Sequence, residues 1–493
     1  MPRLAELVAA LALPQYRRMT NSSDPALDEL RGLIGARHVK VGVDMAPWSG
    51  DWAGQAAWVP RAVLQPADAR EVAGILRLAN LRGLPVVPVS GNTNLVKGTR
   101  ADGALMLSLS RLNAIREIRP EARIAVVEAG VVVETLQQSA EAYDLLFPLS
   151  FGARGSAMVG GVLSTNAGGA NVLRYGNTRD LCLGLEVVTP TGEIMNLMSA
   201  LHKNNAGYDL RHLMIGAEGT LGIITAAVFK LFPRVRAHAT AMVAVPSVNV
   251  ALRLLNRLQD DTGGAVEAFE YMPRSFLDAL LQRFPEMRPP FAERHAVNVL
   301  VELGARAPRD VTPGADGELP VVTQLEAVLA AGYEAGEVLD ATVAQNVAQR
   351  AEIWLRRESS AQILRMRSPV VENDIAVATD RMEALLERIE EVSHAIDPGI
   401  ENTGVAHLGD GNLHYVGWPS RDDAALCRAI QEAVEEEVIA LGGSFSAEHG
   451  IGLSKRAAMA THKDPVALAT MRAIKAALDP NGILNPGKVL PDP

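Results

Sequence analysis

At 493 residues, 48% of them hydrophobic and 21% charged, the chain has a soluble globular composition and exceeds a single core, which predicts two domains or three. A net charge of −10 without any long basic run argues against nucleic acid or an anionic membrane surface as the main partner. Cys182 and Cys427 form no CxxC pair, and no stretch reaches the roughly 18 apolar residues of a membrane span, so a cytoplasmic protein without an integral membrane segment is expected.

In chain order, Leu4–Leu13 is a short apolar stretch broken by Glu6 and without a cleavage site. It is expected as an amphipathic helix rather than a signal peptide. Residues 1–56 are expected to form an N-terminal helical segment that packs on the neighbouring domain, closing in the turn at Asp51-Trp52-Ala-Gly54. From 57 to 235, short Val/Ile/Leu runs such as Leu84–Val89, Ile124–Ala129 and Leu185–Thr189 alternate with Gly- and Pro-rich turns, an α+β signature. From 236 to 475, helices are expected over Val248–Asp260, Thr379–Ala395 and Ala424–Ile439, with a strand at Ala296–Glu302. Gly304–Leu319 reads as an exposed loop. Residues 476–493 are a short closing segment containing Leu484-Asn-Pro-Gly-Lys488.

Glycine gathers with small polar residues in Pro88–Asn94, Phe147–Ser156, Gly160–Gly169 and Gly216–Ile224. Glycine permits positive φ and close backbone approach, so successive N–H groups can converge on phosphate. One such loop is ordinarily a turn; four within about 140 residues favour a nucleotide cofactor lying across them over purely structural turns. No G-x-G-x-x-G and no P-loop is present, so a Rossmann nicotinamide site is unsupported.

Near the C-terminus stand His407-Leu-Gly-Asp-Gly-Asn-Leu-His414 and Ser446-Ala-Glu-His449-Gly. Asp410-Gly411 suits a two-residue type I′ turn, which would set His407 and His414 directly opposite each other, roughly 5 Å apart at Cβ. With Glu448 they offer two nitrogens and one oxygen to a divalent metal, and His449 is left as a base. The alternative is that they are ordinary hairpin residues; two histidines at mirror positions beside a Glu-His pair weigh against it. His202, His212, His238, His295 and His462 have no such company and carry no assigned role.

Together, Gly160-Gly161, Thr165-Asn-Ala-Gly-Gly169, Leu173-Arg-Tyr-Gly176, Asn205–Leu210, Gly216–Thr225, the two histidine motifs and Leu484–Lys488 resemble the vanillyl-alcohol oxidase-type FAD superfamily. Within it the chain resembles the branch of D-2-hydroxyglutarate, D-lactate and glycolate dehydrogenases, over nearly its whole length. The resemblance implies a PCMH-type FAD-binding domain over 57–235, an α/β cap (substrate) domain with the metal site over 236–475, and a return of 476–493 to the FAD domain. It implies FAD held by Ser90, Gly91, Asn92, Thr93, Asn94, Pro148, Gly155, Ser156, Gly160, Gly161, Thr165, Asn166, Gly168, Gly169, Glu218, Gly222, Ile223, Ile224 and Asn485. The tethering histidine of covalent members is absent from Ser90–Asn94, so FAD is expected to be non-covalent. Glycines expected in that loop are Ser90, Asn94 and Lys97 here; asparagine tolerates the left-handed backbone.

By the same resemblance His407, His414 and Glu448 are the metal ligands and His449 the catalytic base. Chemistry agrees with a metal. A hydroxyl proton near pKa ~16 lies about nine units above histidine, roughly 12–13 kcal/mol, and a bound divalent cation can close most of that gap. His₂Glu with an open position suits Zn²⁺, with Mn²⁺ and Fe²⁺ as alternatives. The implied reaction is oxidation of a D-2-hydroxy acid to the 2-oxo acid by hydride transfer from C2 to flavin N5. Substrate-binding candidates are Arg357, Glu372 and Asn412. Where the 2-hydroxyglutarate enzymes carry threonine, lysine and asparagine, this chain has Ala361, Glu372 and Val416. A glutamate in place of the lysine disfavours a distal carboxylate, so a D-lactate-like or other monoacid, or an acid with an amino group, is expected. The alternatives are D-2-hydroxyglutarate dehydrogenase proper, a flavin oxidase, and a non-catalytic flavoprotein subunit. The electron acceptor (quinone, electron-transfer flavoprotein or cytochrome) leaves no motif, and the resemblance implies a homodimer.

Overall fold

The computed structural model of the chain describes residues 24–492 apart from 53 and 55. The helix expected over Leu4–Leu13 lies outside the described residues. Among those residues, no helix is long and apolar enough to cross a membrane.

The chain divides into two units. One contains residues up to Ala167, Asn177–Phe232 and His449 onward; the other contains Gly168–Gly176 and Pro233–Glu448. These breaks differ from the compositional ones. Residues 168–176 group with the second unit because Leu173 packs on its core, and Arg174 and Tyr175 hydrogen-bond the buried Glu267 carboxylate. Residues 449–475 group with the first unit, where Lys475 Nζ donates to the carbonyls of Thr220 (2.7 Å) and Leu484 (2.8 Å).

In the first unit, a four-stranded sheet runs Val39–Lys40, Ala62–Leu64, Leu105–Ser108, Val86–Val89, the last three parallel. Parallel neighbours need a crossover, and the helix Ala69–Arg82 provides one. Asp68 caps its start by accepting from the N–H groups of Arg70 and Glu71, worth about 1 kcal/mol, and Gly83 at φ 61° ends it. Its face of Val72, Ile75 and Leu76 is fully buried, at about 1.5–3 kcal/mol per side chain. The edge strand Val86–Val89 is covered from far along the chain. Val86 N–H donates to Ile483, the N–H of Asn485 donates to Val86, and Ile483 and Leu484 join the core of Leu64 and Leu107. The second sheet of this unit is antiparallel, in the order Ile115–Arg119, Ile124–Glu128, Ile223–Lys230, Cys182–Val188, Ile194–Leu197.

The second unit is one seven-stranded antiparallel sheet. Its order is Asp340–Val343, Ala237–Val245, Val297–Ala305, Val266–Pro273, Glu401–His407, Asn412–Trp418, Val371–Ala376. Side chains alternate across it, so its two faces build different cores. Val243, Val301, Phe269, Ala406 and Leu413 pack beneath Val248–Thr262, Pro320–Glu334, Met382–Ile396 and Ala424–Ala440. Met242, Leu300, Met272, Val405 and Val416 face Arg274–Arg283, Val347–Glu358 and Ser360–Leu364. The segment expected as an exposed loop is mostly exposed, though it contains the short helix Pro308–Val311.

Candidate active site

The period-two pattern decides where the polar residues of the second unit stand. Glu270 shares parity with Met272, His407 with Val405, His414 with Val416, and Asp374 with Glu372. All therefore project from the face that packs Val405 and Val416, the face covered by the helix Val347–Glu358 that carries Arg357.

The hairpin differs from the expected two-residue turn. His407 pairs with Asn412, and His414 pairs with Val405. The loop has four residues, Leu408–Gly411; the N–H groups of Asp410 and Gly411 both donate to the His407 carbonyl, and Gly411 takes φ 82°. Asp410 is not left-handed as a type I′ turn requires, so the two histidines are diagonal rather than opposite. A shift of two residues preserves the face, and the rings still meet, with centroids 5.4 Å apart and nearly perpendicular.

Asp374, His414 and Glu448 offer donor atoms all within 4.8 Å of one another. His414 Nε2 lies 3.4 Å from Glu448 Oε1, and its Nδ1 lies 3.6 Å from Asp374 Oδ1. Glu448 leaves the sheet on a bend rather than a strand, held by its own N–H donating to Asp374 Oδ2 at 3.1 Å. His407 stands beside this group with Nδ1 2.8 Å from Glu270 Oε1. Burial alone would lower the His407 pKa, but the Glu270 carboxylate outweighs it and holds the imidazole above its ordinary value. Burial likewise pushes Glu270 up, yet His407 and Arg357 leave its carboxyl below the usual range. Asp410, half-buried at the turn, is pushed up to about 6 by desolvation. His407 is not among the grouped donors; one histidine nitrogen and two carboxylates, with the His407 ring beside them, make a mixed nitrogen and oxygen set of the kind that takes a divalent cation.

Arg357 is committed in large part to the protein. Its Nε donates to Glu270 Oε2 at 2.7 Å and its Nη1 to Ser360 Oγ at 3.2 Å, while Nη2 is buried with no hydrogen-bond partner among the described residues. Asn412 is also engaged, donating to Asp374 Oδ1 at 3.0 Å and to the Ile375 carbonyl at 3.1 Å. Glu372 accepts from Arg365 at both oxygens, at 2.8 and 3.3 Å. The residue pattern alone gives Glu270 and Asp374 no role. The available signal was two glutamates, Glu267 and Glu270, among the apolar residues of the strand Val266–Pro273 and an aspartate in Val371–Ala376, since buried carboxylates need partners.

In the first unit the glycine-rich loops meet one another. A Cβ on Gly91 would fall 2.3 Å from the Ser156 carbonyl oxygen, and one on Gly160 would fall 3.1 Å from Ser90 Oγ. The loop is tied internally, with Asn94 accepting from Gly98 N–H and Thr99 donating to Asn92. Left-handed positions fall on Asn92 (φ 53°) and Lys97 (φ 58°), while Asn94 is not among them. Glu218, also left-handed, accepts from the N–H groups of Ile451 (2.7 Å) and Gly452 (2.8 Å), and burial raises its pKa despite them. Asn485 donates to the Glu218 and Gly98 carbonyls, and its Oδ1 is buried with no hydrogen-bond partner among the described residues. Ile223 and Ile224 belong to the core of the antiparallel sheet, whereas Gly168 and Gly169 sit in the stretch that groups with the second unit. Close-packed backbones, small polar side chains and an orphaned buried acceptor fit a ligand gripped through main-chain groups.

Residues 60–198 match the family model described as FAD binding domain, and 234–489 match FAD linked oxidases, C-terminal domain. D-2-hydroxyglutarate dehydrogenase of Xanthomonas citri pv. viticola is 34% identical over 95% of this chain and 97% of its own. The enzyme of the same name from Stutzerimonas stutzeri is 35% identical, over 95% and 99%. The solved structure of p-cresol methylhydroxylase superposes with a TM-score of 0.72 at 16% identity, over 96% of this chain and 98% of its own, which places the fold in the PCMH/vanillyl-alcohol oxidase type. The chain belongs to the FAD-linked oxidase family and is an FAD-dependent, D-2-hydroxyglutarate dehydrogenase-like oxidoreductase.

Proposed function

We propose that this protein oxidises a D-2-hydroxy acid to the 2-oxo acid at a metal centre of His407, His414 and Glu448, with His449 as base. The observation that carries this reading is His414 Nε2 at 3.4 Å from Glu448 Oε1, in a chain about one-third identical to D-2-hydroxyglutarate dehydrogenases. When bound, non-covalent FAD supplies the hydride acceptor, and a divalent cation, Zn²⁺ by its donor set, supplies the Lewis acidity that brings a hydroxyl within reach of histidine. The protein's own part is positional. His407, His414 and Glu448 hold the reacting end, the buried Nη2 of Arg357 is a donor suited to a carboxylate oxygen, and His449 takes the hydroxyl proton on an imidazole nitrogen.

The far end of the substrate is read from Glu372. Its bidentate pairing with Arg365 leaves a locally neutral ion pair where the resemblance expects a lysine. A neutral pair neither attracts a distal carboxylate as lysine would nor offers an unpaired carboxylate to an amino group. A monoacid with a short or uncharged tail fits this surface better than a diacid, and Val416, the register partner of Glu372, adds an apolar neighbour.

Anaerobic bleaching of the flavin by D- and L-2-hydroxy acids, with and without chelator, tests both parts. The expected result is chelator-sensitive bleaching by D-monoacids and slower bleaching by D-2-hydroxyglutarate. Faster bleaching by D-2-hydroxyglutarate than by every monoacid would overturn the substrate assignment, and bleaching indifferent to exhaustive chelation would overturn the metal.

A further inference from the structure

Each histidine of the hairpin has a carboxylate directly across the sheet, on a flanking strand. Glu270 is the register partner of His407, and Asp374 is that of His414. Antiparallel partners share a face, so their side chains meet. Glu270 Oε1 lies 2.8 Å from His407 Nδ1, and Asp374 Oδ1 lies 3.6 Å from His414 Nδ1. The hairpin thus approaches the two carboxylates with the same ring nitrogen on both sides.

An ionised carboxylate only accepts hydrogen bonds, so a neutral imidazole facing it carries its proton on Nδ1 and its lone pair on Nε2. In His414 that Nε2 is the atom facing Glu448. Both carboxylates are nearly inaccessible, Glu270 at 1% and Asp374 at 5% exposure. Both are also held by other donors. Arg357 Nε donates to Glu270 Oε2, Asn412 donates to Asp374 Oδ1, and the Glu448 N–H donates to Asp374 Oδ2. Asp374 stands within donor distance of the other groups, but the N–H donors on both its oxygens suit a holder better than a ligand.

We infer that Glu270 and Asp374 are the positioning residues of the metal centre, each fixing the tautomer and ring angle of one histidine so that Nε2 faces the ion. Arg357 and Asn412 then act one layer further out, orienting the two carboxylates. Outer partners of this kind typically change metal affinity 10–100-fold when altered. The inference rests on the reading of His407 and His414 as ligands.

The test uses the FAD-loaded protein stripped of metal by chelation and titrated with Zn²⁺ against a competing indicator, then with Co²⁺ for its ligand-field spectrum. Glu270→Gln keeps the size of the side chain and lets its carbonyl accept from Arg357. Its amide then donates toward Nδ1, forcing the ring proton onto Nε2. The expected result is 10–100-fold weaker Zn²⁺ binding with unchanged flavin content, and recovery of most of the affinity in Glu270→Asp. Asp374→Asn does the same for His414 and carries the test should Glu270→Gln fail to fold. Wild-type affinity in a folded Glu270→Gln or Asp374→Asn variant overturns the positioning role. Failure of the wild-type protein itself to take up Zn²⁺ or Co²⁺ overturns instead the metal centre beneath it.

Discussion

The glycine-rich loops of the first unit and the sheet face of the second solve different problems with different materials. Around Gly91 and Gly160 main chain lies so close to its neighbours that a single added carbon has nowhere to go. On the sheet face the backbone is regular, and the distinguishing atoms are imidazole and carboxylate tips set by a register. The first region is specified by what must be missing, the second by what must be present. Substitutions should therefore fail differently in the two places: by loss of cofactor and stability in one, by loss of chemistry on an intact scaffold in the other.

The largest expected effect is on the sheet face. His414→Ala should lower turnover at least about 100-fold, the scale of several kcal/mol that a bound cation contributes. Flavin absorbance and the urea midpoint should stay near wild type, because His414 is only partly buried; a comparable loss of flavin would erase the contrast. Next comes Gly91→Ala, whose new carbon would sit 2.3 Å from a carbonyl oxygen. The loops must move apart, at about 1–3 kcal/mol, and the FAD-to-protein absorbance ratio should fall with the urea midpoint. Full flavin occupancy at wild-type stability would show that the loops are looser than their packing implies. The smallest effect tests the far end of the sheet face. Glu372→Lys should raise kcat/KM for D-2-hydroxyglutarate relative to D-lactate about tenfold, equivalent to about 1.4 kcal/mol in barrier, and an unmoved ratio would remove Glu372 from the specificity surface.

Much of this was legible in residue order, and the exceptions share a cause. Helices announced themselves locally: the one expected over Val248–Asp260 runs Val248–Thr262, with Ser247 capping it and Gly263 left-handed at its end. The hairpin is visible because Asp-Gly marks a turn, but the dipeptide does not fix the loop length, since it also suits the last two positions of a four-residue loop. Glu270 was hidden because its meaning depends on His407, 137 residues away, and cross-strand register is not written in either segment alone. Arg365 is only seven residues from Glu372, but it closes a helix while Glu372 lies in a strand, so the pairing that changes a lone negative charge into a neutral pair depends on how the two elements pack. Charge read along the chain assigns signs to positions, whereas the chemistry depends on what faces them.

The bridge between Val86 and Leu484 also has a consequence in time. The two residues are roughly 400 positions apart, which at ribosomal rates corresponds to about 20–80 s of synthesis. Through that interval Val86–Val89 is an edge strand whose covering segment does not yet exist, and open strand edges template pairing with other chains. The nascent chain must therefore pass through a long exposure at this edge, and a truncation ahead of Ile483 would make that transient hazard permanent.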